Sequence, residues 1–433
     1  MDLAERLRRL GYSPGPLPPT PPPSVPGGGI DEVVEGEWRE TAYGPCFVGR
    51  STYPGQHEHG GVRLEHVFDL SGIGLRRIGR SAELERLDFE HVAFLDTETT
   101  GLAGGTGTYV FLVGLGHFAE GRFTVEQFFL REYGEERAML AALAARLARF
   151  TAIVTFNGKA FDWPLLQTRF GMHRHPLPQA EPLHLDLLFP ARRLWRERLG
   201  SCSLSALEEG VLGVKRRLDV PSWLIPNIYF QYVRERDARP LRPVFAHNEQ
   251  DVLSLLALTV RLARHFAEPV SEAGHPLDLY SLGRVFESSQ DWGDCLLCYE
   301  QSLAWGLPAP QREAALTRLG LVYKRLARLE NAERIWRSLV NRSGCLGLLP
   351  YVELAKHLEH RERNYGEAAV VVEQALAMLG RRGGDFWQRV RLDRERADLE
   401  HRRERLRRKA STEMQAVSKR PPGDTEAWRE ERA

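Results

Sequence analysis

Residues 92–101 read Val92-Ala93-Phe94-Leu95-Asp96-Thr97-Glu98-Thr99-Thr100-Gly101, an apolar run that ends in two spaced acids. A short apolar run of this kind is typical of a buried β-strand. Because side chains alternate along a strand, Asp96 and Glu98 are expected on the same side of its end. Two neighbouring carboxylates repel each other unless cations neutralise them, and hard oxygen ligands suit Mg²⁺ or Mn²⁺. Loop capping or surface charge explains an isolated pair equally well.

A second polar motif follows another apolar run, at 152–156. It reads Asn157-Gly158-Lys159-Ala160-Phe161-Asp162 and lies at a predicted turn into a helix. Asp162 is a favoured residue type for capping that helix, which is one explanation of the motif. The alternative is that Asn157 approaches a phosphate or sugar, with Gly158 allowing close backbone contact.

A third motif, His247-Asn248-Glu249-Gln250-Asp251, begins an apolar segment predicted to be helical. The i, i+4 spacing places His247 and Asp251 on one face of that helix, one turn apart. Helix capping with a surface histidine is again the alternative. Together, the three motifs place acids in a fixed order at the ends of predicted elements, which is far more specific than any one motif.

The segments around these motifs predict an α/β domain over 86–268. Runs rich in β-formers at 109–116 and 122–130 are joined by Ala119-Glu120-Gly121, which is typical of a hairpin. Leucines at helical spacing predict a helix over 135–149. Strands mixed with helices in this order predict a mixed sheet flanked by helices.

The chain becomes helical throughout from about residue 274, and the pattern repeats up to residue 380. The repeated positions are small or aromatic: Gly283, Phe286, Cys295 and Tyr299, then Gly320, Tyr323, Ala332 and Trp336, each 37 residues later. Small residues where helices cross and aromatics that fill the next helix pair are what helical repeats require. The region resembles tetratricopeptide repeats, an all-α arrangement that offers a surface for a protein partner.

Two segments flank these regions. Residues 1–85 contain a Pro-rich stretch ending in Gly27-Gly28-Gly29, which predicts a linker and an N-terminal extension of uncertain fold. Within this extension, Cys46-Phe47-Val48 and Val62-Arg63-Leu64 are candidates for short strands. Residues 381–433 form a charged tail, either helical or disordered, that includes the basic run 402–409. A solvated tail is the simpler interpretation of that run, and a phosphate-attracting arm is the alternative.

The three acidic motifs resemble those of the DEDD exonucleases of the ribonuclease H-like superfamily. Asp96 and Glu98 match the first motif, Asp162 the second and Asp251 the third. Residues 96–116, with the loop Gly104-Gly105-Thr106-Gly107, are similar to the YprB-type ribonuclease H-like proteins, which also carry helical repeats after the nuclease domain. The resemblance covers roughly residues 85–380.

The resemblance implies a two-metal phosphodiesterase that uses two Mg²⁺ or Mn²⁺ ions. Its metal ligands would be the four matching carboxylates, and His247 would be the general base. Subfamilies carry either a tyrosine four residues before the last Asp or a histidine five before it; here His247 takes the tyrosine's place. The implied substrate-binding residues are Thr97, Thr99, Gly101, Asn157 and Phe161.

Composition limits the remaining possibilities. The 433 residues carry 59 Lys and Arg against 58 Asp and Glu, which argues against a histone-like protein. Five scattered cysteines suit a reducing compartment. The start carries acids rather than the apolar run of a signal peptide, and no apolar run is long enough to cross a membrane. We therefore expect a cytoplasmic protein with no membrane association.

The sequence thus predicts a metal-dependent 3′→5′ exonuclease acting on a nucleic-acid end, with a single-stranded end favoured. The polarity comes from the family resemblance alone, and no residue distinguishes RNA from DNA. Two alternatives stay open. One is a non-catalytic adaptor that binds nucleic acid and recruits partners through its helical repeats. The other is a phosphodiesterase acting on very short chains.

Overall fold

Strands and helices of this chain are described from a computed structural model. It describes residues 28–101, 106–178, 181–216, 220–341, 347–380 and 386–418. Most of the Pro-rich stretch, Gly104 and Gly105 of the glycine loop, and the last fifteen residues of the charged tail lie outside the described residues. The chain divides into two units, Met1–Glu272 and Ala273–Ala433.

A seven-stranded mixed sheet organises the first unit, as predicted for an α/β fold. The strands are β1 (Gly36–Thr41), β2 (Gly44–Pro54), β3 (Glu58–His59), β4 (Val62–Arg63), β5 (Val92–Thr99), β6 (Val110–Ala119), β7 (Arg122–Phe129), β8 (Ala152–Thr155) and β9 (Leu183–Asp186). Their order in the sheet is β1-β2-β7-β6-β5-β8-β9, and β3 pairs with β4 separately. Strands β5, β8 and β9 are parallel, and the other neighbours are antiparallel.

Nine α-helices are described in the first unit. They are α1 (Ile30–Val33), α2 (Gly72–Gly79), α3 (Glu136–Leu147), α4 (Asp162–Met172), α5 (Leu188–Leu199), α6 (Leu204–Leu207), α7 (Ile225–Glu235), α8 (Arg242–Ala267) and α9 (Pro269–Glu272). A π-helical turn, Glu208–Leu212, continues α6. The helices predicted from residues 135, 162 and 248 correspond to α3, α4 and α8.

Helices α3 and α8 contact opposite faces of the sheet. Arg146 of α3 reaches Glu126 on β7, whereas the next residue, Gln127, donates its amide to the Phe245 carbonyl of α8 at 2.8 Å. Because neighbouring residues of a strand point to opposite faces, α3 and α8 enclose the sheet between them. Strand β6 is accordingly buried along nearly its whole length, as expected for a strand covered on both sides.

The sheet extends further toward the N-terminus than residue 86. Strands β1 and β2 complete it, and the short strand expected at Cys46-Phe47-Val48 is the buried centre of the eleven-residue β2. Glycines and prolines at 44, 45, 49, 54 and 55 interrupt the apolar pattern of this segment and conceal the strand. The other short strand expected nearby corresponds to β4.

Seven helices are described in the second unit. They are α10 (Pro276–Ser289), α11 (Trp292–Trp305), α12 (Ala309–Arg325), α13 (Leu329–Val340), α14 (Leu349–His357), α15 (Tyr365–Leu379) and α16 (Phe386–Ser418), with a π-helical turn at Leu358–Glu362. Consecutive helices of this unit pack on one another. A Cβ added to Gly283 would lie 2.8 Å from the Tyr299 ring, and one added to Gly320 would lie 2.5 Å from Trp336 Nε1. The repeated small and aromatic positions are therefore in contact.

The described part of the charged tail is the single helix α16. Three of its basic side chains, from Arg402, Arg405 and Lys409, bind the carboxylate of Glu359, whose side chain is fully buried. Leu399 and Leu406 of the same helix are buried as well. Much of the basic run is thus committed to packing within the helical unit.

Candidate active site

Strand β5 carries the first two acids into the middle of the sheet. Asp96 lies opposite Gly114 of β6, and a shift in register between Glu98 and Thr99 marks the point where the strand leaves regular pairing. A Cβ on Gly114 would lie only 2.3 Å from the side-chain oxygen of Asn248. The absence of a side chain at Gly114 therefore lets helix α8 approach the strand beside Asp96.

Helix α8 supplies three side chains to the same place. Asn248, fully buried, donates its amide to Asp96 Oδ2 at 2.9 Å and accepts from Gln127 Nε2 at 2.9 Å. The other two side chains, those of His247 and Asp251, lie one helical turn apart, and His247 Nε2 is 3.5 Å from Asp251 Oδ2. The same nitrogen lies 3.7 Å from Glu98 Oε1. The histidine thus faces one acid from the strand and one from its own helix.

The third acid arrives on helix α4. Asp162 is the first residue of that helix, and its carboxylate accepts a hydrogen bond from the Thr97 hydroxyl. The helix follows β8, which is parallel to β5, so the two motifs leave the sheet at the same edge. The structure therefore brings together Asp96, Glu98, Asp162, His247 and Asp251, which are distant in the sequence.

The turn between β8 and α4 is braced from the next strand. Asp186 at the end of β9 accepts hydrogen bonds from the backbone N–H of Asn157, at 2.8 Å, and of Lys159, at 3.2 Å. Asn157 itself has a left-handed backbone, with φ of 65°. Asp186 therefore has a structural role, because it holds the turn ahead of Asp162.

The predicted substrate-binding residues occupy different settings. Phe161 is 57% exposed at the start of α4, and Asn157 is half-buried in the braced turn. Thr97 is engaged with Asp162, whereas the Thr99 hydroxyl donates to the Gly101 carbonyl at 3.0 Å in a local turn. Of these, Phe161 presents the largest free surface to a ligand, while Thr99 and Gly101 bond to each other.

Burial and mutual repulsion disfavour the charged form of the carboxyl groups in this site. Loss of solvation raises the pKa of Asp96 well above its usual range, and repulsion from Asp251, Glu98 and Asp162 raises it further. Burial also raises the pKa of Asp162, against the lowering effect of the Thr97 hydrogen bond. The pKa of Asp251 is raised to about 6, chiefly by burial, although His247 and Arg216 lower it. Such a cluster is stabilised by added positive charge.

A positively charged side chain, that of Arg216, already lies in the site, and no sequence motif predicts it. Arg216, from the loop after the π-helical turn, donates from Nη2 to Asp251 and from Nη1 to His247 Nδ1 at 2.9 Å. It also forms a two-pronged pair with Glu208, at 2.6 and 2.9 Å. Glu208 is buried and accepts the Ser254 hydroxyl of α8 at 2.5 Å.

Arg216 and Asn248 are the functional candidates that sequence reasoning missed. Asn248 lies within the third motif, directly after His247, and this position was the only sign in the sequence that it belongs to the site. No spacing or pattern marks Arg216. The chain has many arginines, this one lies in a loop, and its hydrogen-bond partners are 8 to 35 positions away. Only the folded chain shows its neighbours.

The donor set of the site fits divalent cations. Four carboxylates from three elements converge where burial and repulsion make their combined charge unfavourable, and carboxylate oxygens are the ligands that Mg²⁺ and Mn²⁺ prefer. Among the described residues, the three metal-type ligands that lie within 4.8 Å of one another are elsewhere, namely Glu333, His357 and Glu362 of the helical unit. Arg337 pairs with both of those glutamates, so that group is an ion-pair network.

Comparison with known proteins agrees with this arrangement. Residues 93–263 match the family model described as RNase_H superfamily, a range that contains all four carboxylates and His247. The chain is also 32% identical over 340 residues to a Bacillus subtilis (strain 168) protein described as uncharacterized protein YprB, covering 77% of this chain and 80% of that protein. The chain belongs to the YprB family of the RNase H superfamily.

Membership of the RNase H superfamily indicates a nuclease and a nucleic-acid substrate. Members of this superfamily typically use divalent metal ions, which agrees with the carboxylate cluster. Within the described residues, no helix of this RNase H-like chain has both the length and the apolar character needed to cross a bilayer.

Proposed function

We propose that this protein is a metal-dependent 3′→5′ exonuclease that hydrolyses phosphodiester bonds at nucleic-acid ends by a two-metal mechanism. The observation that carries the proposal is the convergence of Asp96, Glu98, Asp162 and Asp251 around one buried point, with His247 facing two of them. A domain that only binds nucleic acid does not need four carboxylates there, because they repel a phosphate.

The four carboxylates would hold two Mg²⁺ or Mn²⁺ ions. Two such ions lower the barrier by activating the attacking water and by stabilising the leaving oxygen. Asn248 fixes Asp96 through the bond to its Oδ2, and the Thr97 hydroxyl fixes Asp162. Both acids are therefore already oriented before any ligand arrives, which favours catalysis by preorganisation.

His247 would accept the proton of the attacking water. It stands one turn before Asp251 on a rigid helix, and only 7% of its side chain is exposed, so the ring is held in one orientation. A histidine is suited to this role near neutral pH. It occupies the place of the tyrosine in one branch of the DEDD exonucleases, and we propose that its ring performs that tyrosine's function.

The substrate would enter as a single strand. Phe161, exposed beside Asp162, offers a ring on which a terminal base can stack, and stacking of this kind tolerates any base. Asn157 would contact the sugar-phosphate backbone, and Thr97, Thr99 and Gly101 would line the terminal nucleotide. The helical repeats of the second unit would bind a protein partner.

The direct test incubates purified protein with end-labelled single-stranded RNA or DNA in Mn²⁺, Mg²⁺ or chelator, beside Asp96→Ala. We expect metal-dependent shortening from the 3′ end, reduced by at least about a thousandfold in the variant. His247→Tyr should keep metal binding and retain activity if the tyrosine-type geometry operates. Phe161→Ala should raise KM more than it lowers kcat.

The same experiment decides between the exonuclease and its rivals. If wild type and Asp96→Ala bind an oligonucleotide equally and neither cleaves it, the exonuclease proposal is wrong and the adaptor interpretation is supported. Cleavage confined to chains of a few nucleotides supports a short-chain phosphodiesterase. Cleavage of internal bonds in a closed circular strand would contradict the requirement for an end.

A further inference from the structure

The guanidinium of Arg216 has two edges with different partners. Its inner edge, Nε and Nη2, bonds Glu208 at 2.6 and 2.9 Å. Its outer groups, Nη1 and again Nη2, reach His247 and Asp251, which belong to the candidate active site. The planar fork of an arginine suits both a carboxylate and a phosphate, so either edge is able to bind an oxyanion in two places.

The inner edge is anchored within the protein. Glu208 is 1% exposed, and the Ser254 hydroxyl donates to its Oε1 at 2.5 Å. The Ser254 hydroxyl has one proton, and it donates that proton to Glu208. In the 2.8 Å contact between Ser254 and His59, the histidine Nε2–H therefore donates to the serine oxygen. Burial lowers the pKa of His59 to about 4, which keeps that ring neutral. This chain of contacts fixes Glu208 and hence the position of Arg216.

The outer groups occupy atoms that the proposed reaction needs. Arginine donates and does not accept, so the His247 Nδ1 that faces it at 2.9 Å is the unprotonated nitrogen. The other ring nitrogen, Nε2, lies 3.4 Å from the same Nη1 and also faces Glu98 and Asp251. Asp251 is likewise engaged by Nη2. With Arg216 in this place, the proposed base and this acid are both engaged by the guanidinium.

We propose that Arg216 is a phosphate-binding residue that rests on Asp251 and His247 in the cation-free protein and turns its outer groups to the substrate phosphate once Asp251 binds a divalent cation. The inference rests on the proposed function, since it requires Asp251 to be a metal ligand and the substrate to be a phosphodiester. Glu208 keeps its pair with Arg216 in both states, so the guanidinium stays at the site while its outer partners change.

The competing interpretation is a permanent ion pair that only supports the fold. A pair of this kind among the described residues of the first unit, between Arg169 and Glu136, serves as a matched control. Arg169 binds Glu136 through Nε and Nη2, Glu136 also contacts His173, and both charged side chains are about 2% exposed. Arg169→Gln therefore removes a buried arginine from a carboxylate and a histidine without touching the candidate site.

The test measures binding of Mn²⁺ alone, and then of thymidine 5′-monophosphate in Mn²⁺, by calorimetry on the full chain. Wild type, Arg216→Gln, Arg216→Lys and Arg169→Gln are compared after circular dichroism has shown that each is folded. We expect Arg216→Gln to bind Mn²⁺ severalfold more tightly, because no guanidinium competes for Asp251. It should bind the nucleotide about tenfold more weakly, as expected for the loss of a charge-assisted hydrogen bond.

Arg216→Lys, which keeps the charge but loses the fork, should lie between wild type and Arg216→Gln in nucleotide affinity. Arg169→Gln should leave both affinities within about twofold of wild type. The proposal is overturned if folded Arg216→Gln binds the nucleotide as wild type does, or if it binds Mn²⁺ more weakly, as loss of a structural support would require. A wild type that binds no Mn²⁺ also overturns it.

The outcome is separable from that of the exonuclease proposal. If the wild type shows these Arg216-dependent affinities but cleaves no oligonucleotide, the role of Arg216 stands and the exonuclease assignment fails. If oligonucleotides are cleaved while Arg216→Gln binds the nucleotide normally, the exonuclease assignment stands and the role of Arg216 fails.

Discussion

Glu126 shows how a single charge is used inside the sheet. It is 1% exposed on β7, where it binds Arg39 of β1 and Arg146 of α3, with His117 Nε2 at 3.4 Å. Burial acts to raise the pKa of its carboxyl, but the hydrogen bonds and charges of these basic neighbours outweigh burial and lower the pKa to about 2. The carboxylate therefore joins an edge strand, a central strand and a helix.

Glu126→Gln is expected to lower the free energy of unfolding by about 3 kcal/mol at pH 7, because it removes the buried carboxylate that neutralises the partly buried Arg39 and Arg146. A carboxyl with a lowered pKa in the folded state stabilises above its unfolded pKa of about 4.5, and that contribution is lost as the pH falls toward about 2. The difference from wild type should therefore shrink below pH 4.5 in urea unfolding curves. Glu40→Gln, exposed on β1, is the control, and a difference that grows with acid would contradict this account.

Individual residues of the candidate site were predictable to different degrees. The acids were found because strand alternation and helical spacing act over a few residues and leave a pattern in the sequence. Asp162, for example, stands where a strand turns into a helix. The partners that orient those acids were not predictable, because the bond from Asn248 to Asp96 spans 152 positions and depends on a glycine in a third element. Such contacts exist only after the sheet has formed.

Helix pairs of the second unit depend on two glycines at their crossings. Gly320→Ala is expected to lower the free energy of unfolding by about 1–3 kcal/mol, because a methyl group would lie 2.5 Å from Trp336 Nε1 and the rigid indole has to move. Gly293→Ala is the matched control, since a Cβ there meets nothing within 4 Å and alanine favours a helix. Thermal unfolding of both variants checks this; equal stabilities would show that the crossing is loosely packed.

Helix α16 gives a second prediction for an element. The double variant Arg402→Glu, Arg405→Glu should lower the free energy of unfolding by about 2 kcal/mol or more, because it replaces two cations around the buried Glu359 with like charges. The salt dependence of oligonucleotide binding should not change. Arg408→Glu, exposed on the same helix, is the control for added negative charge. A shallower salt dependence in the double variant alone would instead place this helix on the nucleic acid.

Prediction of elements succeeded where the pattern was long or regular. Strands β5 to β8 and helix α8 carry apolar runs or helical spacing, and the structure has each of them. Helix α7 was missed because its apolar residues, among them Tyr229 and Tyr232, are aromatic and serve a strand equally well. Tyr229 stacks on Phe111 at 4.1 Å, a tertiary contact that local preference does not contain.

The balance of charge over the whole chain also has a consequence. With a net charge of +1 and four acids at the candidate site, the protein has little bulk attraction for a polyanion. We expect weak oligonucleotide binding in chelator and much tighter binding in Mn²⁺, with a shallow dependence on salt in both. Fluorescence anisotropy between 50 and 200 mM salt measures this; tight, steeply salt-dependent binding in chelator would show that a basic surface dominates.

Helix α8 links several of these groups mechanically. His247, Asn248, Asp251 and Ser254 belong to one uninterrupted helix of 26 residues that lies against the sheet. A shift of that helix would displace the proton acceptor, the bond to Asp96, a carboxylate and the anchor of Glu208 in a single movement. These groups are therefore expected to move together. A one-residue insertion within the helix would turn every later side chain by about 100° and so separate the groups before it from those after it. A single substitution near the site leaves their spacing along the helix unchanged.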